Sequence, residues 1–358
     1  MPPFPPSAQP EKRGALKNRR LWLTVGVLLP LLAGCGRGPG LTQDSPRASS
    51  SLETPADTAP PATINFAEQW VIDASEARSL LGQGATLLDA RGPGLLNNPL
   101  GSNSLDGAIA VTWQQFSEPQ LPHRGNLLQD QAALGKQLQA VGIVGDRPVI
   151  VFGNPSQGWG EEGRIVWMLR SLGHRQAVLV DGGYGALQAA GLAAGKALTR
   201  APMPGSFVPQ PQKTWQISQG DLREALQETT ATPSPKLVLI DTREPREFAG
   251  ATPYGESRGG HLPGAVNLHF SQLLDERGYL LPEGERRDRL AALGITPGQA
   301  IVAYCTGGIR SGWLAVVLVD MGYDAKNYAG SMWEWSTGDP AEYPLEKSSL
   351  GKSSLEKS

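Results

Sequence analysis

Cysteine is nearly absent from this chain: two in 358 residues, Cys35 and Cys305. That excludes a framework of several disulfides, so each thiol has to be explained singly. An excess of one charge is missing as well. With 32 Lys and Arg against 34 Asp and Glu the formal net charge is −2, which gives no basic footprint and argues against nucleic acid as a partner. The apolar run at residues 21–32 falls far short of the roughly 20 residues that cross a bilayer. No metal and no cofactor are expected. Proline is not scarce, at 30 residues, but it crowds into the first 63 residues and the stretch between about 200 and 235, marking tails and linkers. The length suits two domains of ordinary size.

What is present begins with Cys305. A short apolar run, residues 300–304, delivers this thiol to the turn Thr306-Gly307-Gly308-Ile309-Arg310, after which residues 311–318 read as a buried helix. A strand thus feeds a thiol into the mouth of a helix, where loop N–H groups and the positive end of the helix dipole favour thiolate and attract anions. A lone cysteine can instead be a small buried hydrophobe. The paired glycines argue against that, since glycine is best explained by a positive φ or a close ligand approach. Arg310 adds a fixed cation at the far end of the same loop.

The N-terminus carries the pattern of an export signal. Lys12, Arg13, Lys17, Arg19 and Arg20 precede the apolar run, which ends in Leu32-Ala33-Gly34-Cys35. That ending resembles the lipobox of bacterial lipoproteins, so residues 1–34 are expected to be a signal peptide and Cys35 the lipidated first residue of an exported, membrane-anchored chain. Residues 35–63, rich in Pro, Ser, Thr and Ala, would be the tether. Cys305 is then the one remaining thiol, and its retention outside the cytoplasm favours chemistry.

The chain also repeats itself. Leu87-Leu88-Asp89-Ala90-Arg91 answers Leu239-Ile240-Asp241-Thr242-Arg243, and Val149-Ile150-Val151-Phe152-Gly153 answers Ile301-Val302-Ala303-Tyr304-Cys305. In the second copy, strands are predicted at 215–217, 237–241, 265–268, 300–304 and 326–328, with helices at 219–228, 283–293 and 311–321. Such alternation implies an α/β fold with a mostly parallel sheet and helices on both faces, and ligands beyond the carboxyl ends of the strands.

These residues resemble the rhodanese, or thiosulfate/mercaptopyruvate sulfurtransferase, superfamily in its tandem two-domain form. The matching pieces are Asp241-Thr242-Arg243-Glu244-Pro245-Arg246-Glu247-Phe248, Gly259-Gly260-His261-Leu262-Pro263-Gly264-Ala265-Val266-Asn267, the Cys305 loop, and Tyr328-Ala329-Gly330-Ser331-Met332-Trp333-Glu334-Trp335. The resemblance implies an inactive N-terminal domain at 64–200, with Gly153 where the nucleophile would be, a linker at 201–213, a catalytic domain at 214–346 and a low-complexity tail at 347–358. It implies that Cys305 carries a persulfide between an anionic sulfur donor and an acceptor such as cyanide or a thiol. Thr306, Gly307, Gly308 and Ile309 would form the active-site loop, and Arg310, Arg243 and Arg258 would bind the donor. Asp241 and His261 would be structural residues near the site, and Trp333 and Trp335 packing. Thiosulfate is the favoured donor because a doubly charged anion matches Arg310 with Arg243; 3-mercaptopyruvate is the alternative. A non-catalytic binding or redox-sensing lipoprotein is the rival reading. A phosphatase is disfavoured because four residues, not five, separate Cys305 from Arg310.

Overall fold

Short apolar runs alternating with amphipathic stretches become the strands and helices of the computed structural model, which describes residues 64–91, 104–231 and 237–347. The first half runs β1 (Val71–Ile72), α1 (Ala74–Gly82), β2 (Thr86–Asp89), β3 (Ser104–Leu105), β4 (Ile109–Ala110), α2 (Gln131–Ala140), β5 (Val149–Phe152), α3 (Glu161–Ser171), β6 (Ala177–Val180), α4 (Gly183–Ala189) and β7 (Ala194–Gly195). The second runs α5 (Gln219–Ala231), β8 (Val238–Asp241), α6 (Pro245–Phe248), β9 (Val266–Asn267), α7 (Glu283–Ala292), β10 (Ala300–Tyr304), α8 (Ile309–Asp320), β11 (Asp324–Asn327) and α9 (Ser331–Trp335).

Each half holds one parallel sheet, in the order β1-β6-β5-β2-β4 and β11-β10-β8-β9. Strands covered on both faces must be apolar throughout, and β2, β5 and β6 are buried at every residue. The sequence repeat is a repeat of register: Asp89 pairs with Phe152 in one sheet and Asp241 with Tyr304 in the other. Cys305 therefore leaves the carboxyl end of a central strand, beside the strand that ends in Asp241.

The two halves share a core within one compact unit. Helices α3 and α8 cross at its centre, where Gly160, which caps α3, and Gly163 within it lie against Trp313 of α8 so closely that a Cβ at either would collide with the Trp313 side chain. Trp313 is almost wholly buried. Asp320, the last residue of α8, accepts hydrogen bonds from the N–H groups of Trp70 and Val71 at 2.8 and 2.9 Å, tying α8 to the edge of the first sheet.

Two expectations need correction. Residues 215–217 make one bridge and no named strand: Gln216 lies beside Asn327, whose N–H donates to Trp215 O and whose carbonyl accepts the Ile217 N–H, while the Trp215 carbonyl also accepts the indole N–H of Trp167. The strand expected at 326–328 lies at Asp324–Asn327, where Ala325 and Asn327 point inward in alternation. Within residues 201–213, Gly205 N–H donates to Gln139 O, Phe207 N–H to Ile143 O and Gln210 N–H to Leu172 O, and the Phe207 ring packs on His174. Residues 1–63, including Cys35, and the tail beyond Lys347 lie outside the described residues. Among the described residues no helix is long and apolar enough to cross a membrane.

Candidate active site

Cys305 is 1% exposed and sits where β10 ends and α8 begins. Its Sγ accepts the N–H of Gly308 at 3.1 Å and faces the hydroxyl of Ser311 at 3.5 Å. Gly308 caps α8 with φ +80°, a left-handed conformation that side chains rarely adopt, and this turns its N–H back toward the sulfur. Burial alone pushes the thiol up. The Arg310 guanidinium, the Ser311 hydroxyl and the N–H groups of Ser311 and Gly307 outweigh it and hold Cys305 below the ordinary thiol range. The result is a thiol biased toward the nucleophilic thiolate.

The loop is braced from behind by α9. Cys305 N–H donates to the Ser331 hydroxyl at 3.1 Å, and the carbonyls of Cys305 and Thr306 accept the N–H groups of Met332 and Trp333. Ser331 takes φ 49° to do this and donates its hydroxyl to Tyr328 O at 2.6 Å. The Trp333 ring lies over Gly307, leaving no room for a side chain there.

Arg310 is not free to greet a donor. Its Nη1 and Nη2 donate to the two oxygens of Glu247 at 2.7 and 2.9 Å, and Nη2 also to the Thr306 hydroxyl at 2.7 Å. Both side chains are buried. Burial pushes the Glu247 carboxyl up, yet the bonds from Arg310 and Thr306 bring it below the ordinary carboxylate range. Thr306 is thereby a member of the pair's network, and Ile309 is buried in the first turn of α8.

The other expected donor ligands are displaced further. Arg243 is fully buried, with Nε and Nη2 on Asp241 and Nη2 also on Gly260 O at 2.7 Å. Arg258 spends its guanidinium on the carbonyls of Trp335, Ser336, Gly338 and Tyr343, holding the segment after α9. Arg258 is thereby corrected from a donor ligand to a structural cation, whereas Arg243, held by Asp241 and Gly260, keeps its Nη1 buried without a hydrogen-bond partner. Asp241 orients Arg243. His261 makes a 2.9 Å ring contact with Phe248 O through Nδ1 and stacks on the Phe248 ring at 3.6 Å.

The sequence reading passed over Ser311, Glu247 and the first half's share of the site. Ser311, a hydroxyl six residues beyond the thiol on a helical turn, could have been found by projecting the helix back onto its own mouth. Gly125 could not: it lies in a 3-10 turn of the first half and touches the carbonyls of Gly307 and Ala329 so closely that a Cβ would collide with both. Among the described residues no cluster of His, Cys, Asp and Glu is arranged to hold a metal ion.

In the first half the place of the thiol is taken by an acid. A Cβ on Gly153 would run into the carboxylate of Glu162, which is fully buried with neither oxygen hydrogen-bonded. Burial, with the charge of Glu161, pushes its pKa up to about 8 from 4.5. An acid whose pKa is raised on folding binds more protons folded than unfolded, so its contribution to stability falls as pH rises from about 4.5 to about 8 and is constant beyond. Glu162→Gln should remove that slope and raise stability at pH 8 by on the order of a few kcal/mol, read from denaturant melts at several pH values. An unchanged slope would show that Glu162 is already ionised in the fold.

With this geometry in view, a family profile described as Rhodanese-like domain matches residues 218–337, which contain Asp241, Glu247, His261 and the whole Cys305 loop. Thiosulfate sulfurtransferase of Pseudomonas aeruginosa is 30% identical over 240 residues, covering 65% of this chain and 80% of the relative. A probable 3-mercaptopyruvate sulfurtransferase of the same organism is 34% identical over 218 residues, covering 60% and 72%. Among solved structures, 3-mercaptopyruvate sulfurtransferase from Leishmania major superposes with a TM-score of 0.61 at 23% identity, over 75% of each chain. That likeness speaks to the fold, while the sequence matches cover 80% and 72% of the two Pseudomonas aeruginosa relatives. On those matches the chain is a sulfurtransferase enzyme and belongs to the rhodanese family.

Proposed function

We propose that the enzyme transfers a sulfane sulfur through a persulfide on Cys305, with thiosulfate as donor. The observation that carries this is the Cys305 sulfur held by the Gly308 N–H at the mouth of α8, with Arg310 adjacent and the thiol biased toward thiolate. The thiolate attacks the outer sulfur of thiosulfate; the S–S bond breaks, sulfite leaves with the electron pair, and a Cys305 persulfide anion remains. Cyanide or a thiolate then attacks the terminal sulfur and releases the Cys305 thiolate again. Because Arg310 and Arg243 are both answered by carboxylates, the donor's charge falls to the loop N–H groups and the helix terminus. Thiosulfate is retained as first donor because relatives from Pseudomonas aeruginosa and Azotobacter vinelandii carry that activity in their names, and 3-mercaptopyruvate remains the alternative on the same footing. Offering each donor separately and weighing the intact protein should show one added sulfur with thiosulfate. No adduct with either donor would end this reading.

The sequence supports a second element of the proposal, an exported chain anchored by lipid on Cys35. The support is the basic flank, the short apolar run and the Leu-Ala-Gly-Cys ending. Processing between Gly34 and Cys35 should be sensitive to globomycin and leave the mature protein with the membrane fraction. Cys35→Ala should abolish lipid attachment; a mature chain that carries no lipid would refute the anchor.

A further inference from the structure

The half without a thiol sends one side chain into the catalytic loop. Arg164 stands on α3, 1% exposed. Its Nη2 donates to Gly125 O at 2.7 Å and to the Ser117 hydroxyl at 3.2 Å, its Nη1 reaches Gly308 O at 3.4 Å, and its guanidinium lies 4.6 Å from the Trp167 ring centre. Among the described residues no carboxylate is within ion-pair distance of it. A buried cation without a counter-charge is expensive to maintain, and carbonyl acceptors offset that only in part.

Two features aim this charge at the nucleophile. Gly308, whose carbonyl Arg164 approaches, is the residue whose N–H points at Sγ, and the same carbonyl accepts Asn327 Nδ2 at 3.1 Å. The remaining charges around the loop are already answered: Arg310 by Glu247, Arg243 by Asp241, with Glu256 behind Thr306. Glu162, on the same helix as Arg164, lies against Gly153 instead.

We propose that Arg164 is a positioning residue for Cys305, holding Gly308 in the left-handed conformation that points its N–H at the sulfur and supplying a positive charge that favours the thiolate and the persulfide anion. The first half is thereby a working part of the site. Consistent with this, burial pushes the Arg164 guanidinium down to about 9 and the Cys305 thiolate is the charge that pulls it back up, an effect that thermodynamic linkage makes reciprocal. The inference rests on Cys305 as the nucleophile, but its test needs no sulfur donor.

The measurement is the pH dependence of Cys305 alkylation in the full chain, with thermal unfolding as a control for folding. Arg164→Met should raise the apparent thiol pKa by roughly half to one unit and slow alkylation at neutral pH about three- to tenfold. Arg164→Gln, which keeps hydrogen bonds to the loop without the charge, should show the same shift and carries the test if the Met variant does not fold. Arg164→Lys should bring most of the pKa back while leaving transfer activity low, because the two-pronged contact is lost. A folded Met or Gln variant with the wild-type alkylation profile would overturn the proposal. A shifted profile in a protein that forms no persulfide would uphold it while refuting the proposed reaction.

Discussion

Cys305→Ser should abolish both the sulfur adduct and transfer, leaving only the uncatalysed background. The substitution exchanges sulfur for oxygen in a site where the Arg310 charge, the Gly308 N–H, the Ser311 hydroxyl and the N–H groups of Ser311 and Gly307 are arranged to stabilise an anion on that one atom. Those contacts lower a thiol that starts near 8.5 into a useful range; a serine hydroxyl starts far too high for the same effect, and oxygen cannot hold a sulfane sulfur as a persulfide. The near-isosteric change should leave the melting temperature almost unaltered, so lost activity with retained folding assigns the chemistry to the sulfur. Mass measurement after donor treatment and a turnover assay decide it together. Transfer by a folded Cys305→Ser protein would remove Cys305 from the mechanism.

What the sequence made legible was local. Strand, thiol, glycine turn and helix follow one another within about twenty residues, and the register of the repeat, Asp89 with Phe152 and Asp241 with Tyr304, follows from two apolar runs set beside two acidic strand ends. What it hid was the pairing of charges. Arg310 looked like a donor ligand because a cation at the end of a thiol loop invites an anion, but the anion is Glu247, 63 residues earlier in the chain. The pairing of Arg243 was hidden for a different reason: its partner Asp241 is two residues away and visible, yet nothing in the local pattern says that the pair is buried. Gly125 and Arg164 were out of reach altogether, since they approach the loop from another sheet's connections and only the crossing of α3 with α8 brings them there.

The hidden pair supplies the other large expected effect. Arg310→Met leaves the Glu247 carboxylate buried without its ion-pair partner, held only by the Thr306 hydroxyl and the Glu244 N–H, which should cost about 3–5 kcal/mol of stability at neutral pH. The folded carboxyl of Glu247 is held below its unfolded value, so the stability the pair contributes is present above the unfolded pKa and is lost as pH falls through the folded one. The gap between wild type and variant should therefore narrow below about pH 4. Arg310→Met with Glu247→Leu removes both charges and should recover most of the stability. It should not recover the thiol, because Arg310 is the leading influence lowering Cys305. In that double variant the alkylation profile of Cys305 should move to higher pH, and kcat/KM should fall roughly tenfold or more at pH 7. Raising the pH separates the two roles that a loop arginine can have. If Arg310 acts on the thiol, kcat/KM returns toward wild type once the pH exceeds the raised thiol pKa, with little change in KM for thiosulfate. A loss that persists at alkaline pH as a raised KM would mean that Arg310 leaves Glu247 and binds the donor itself.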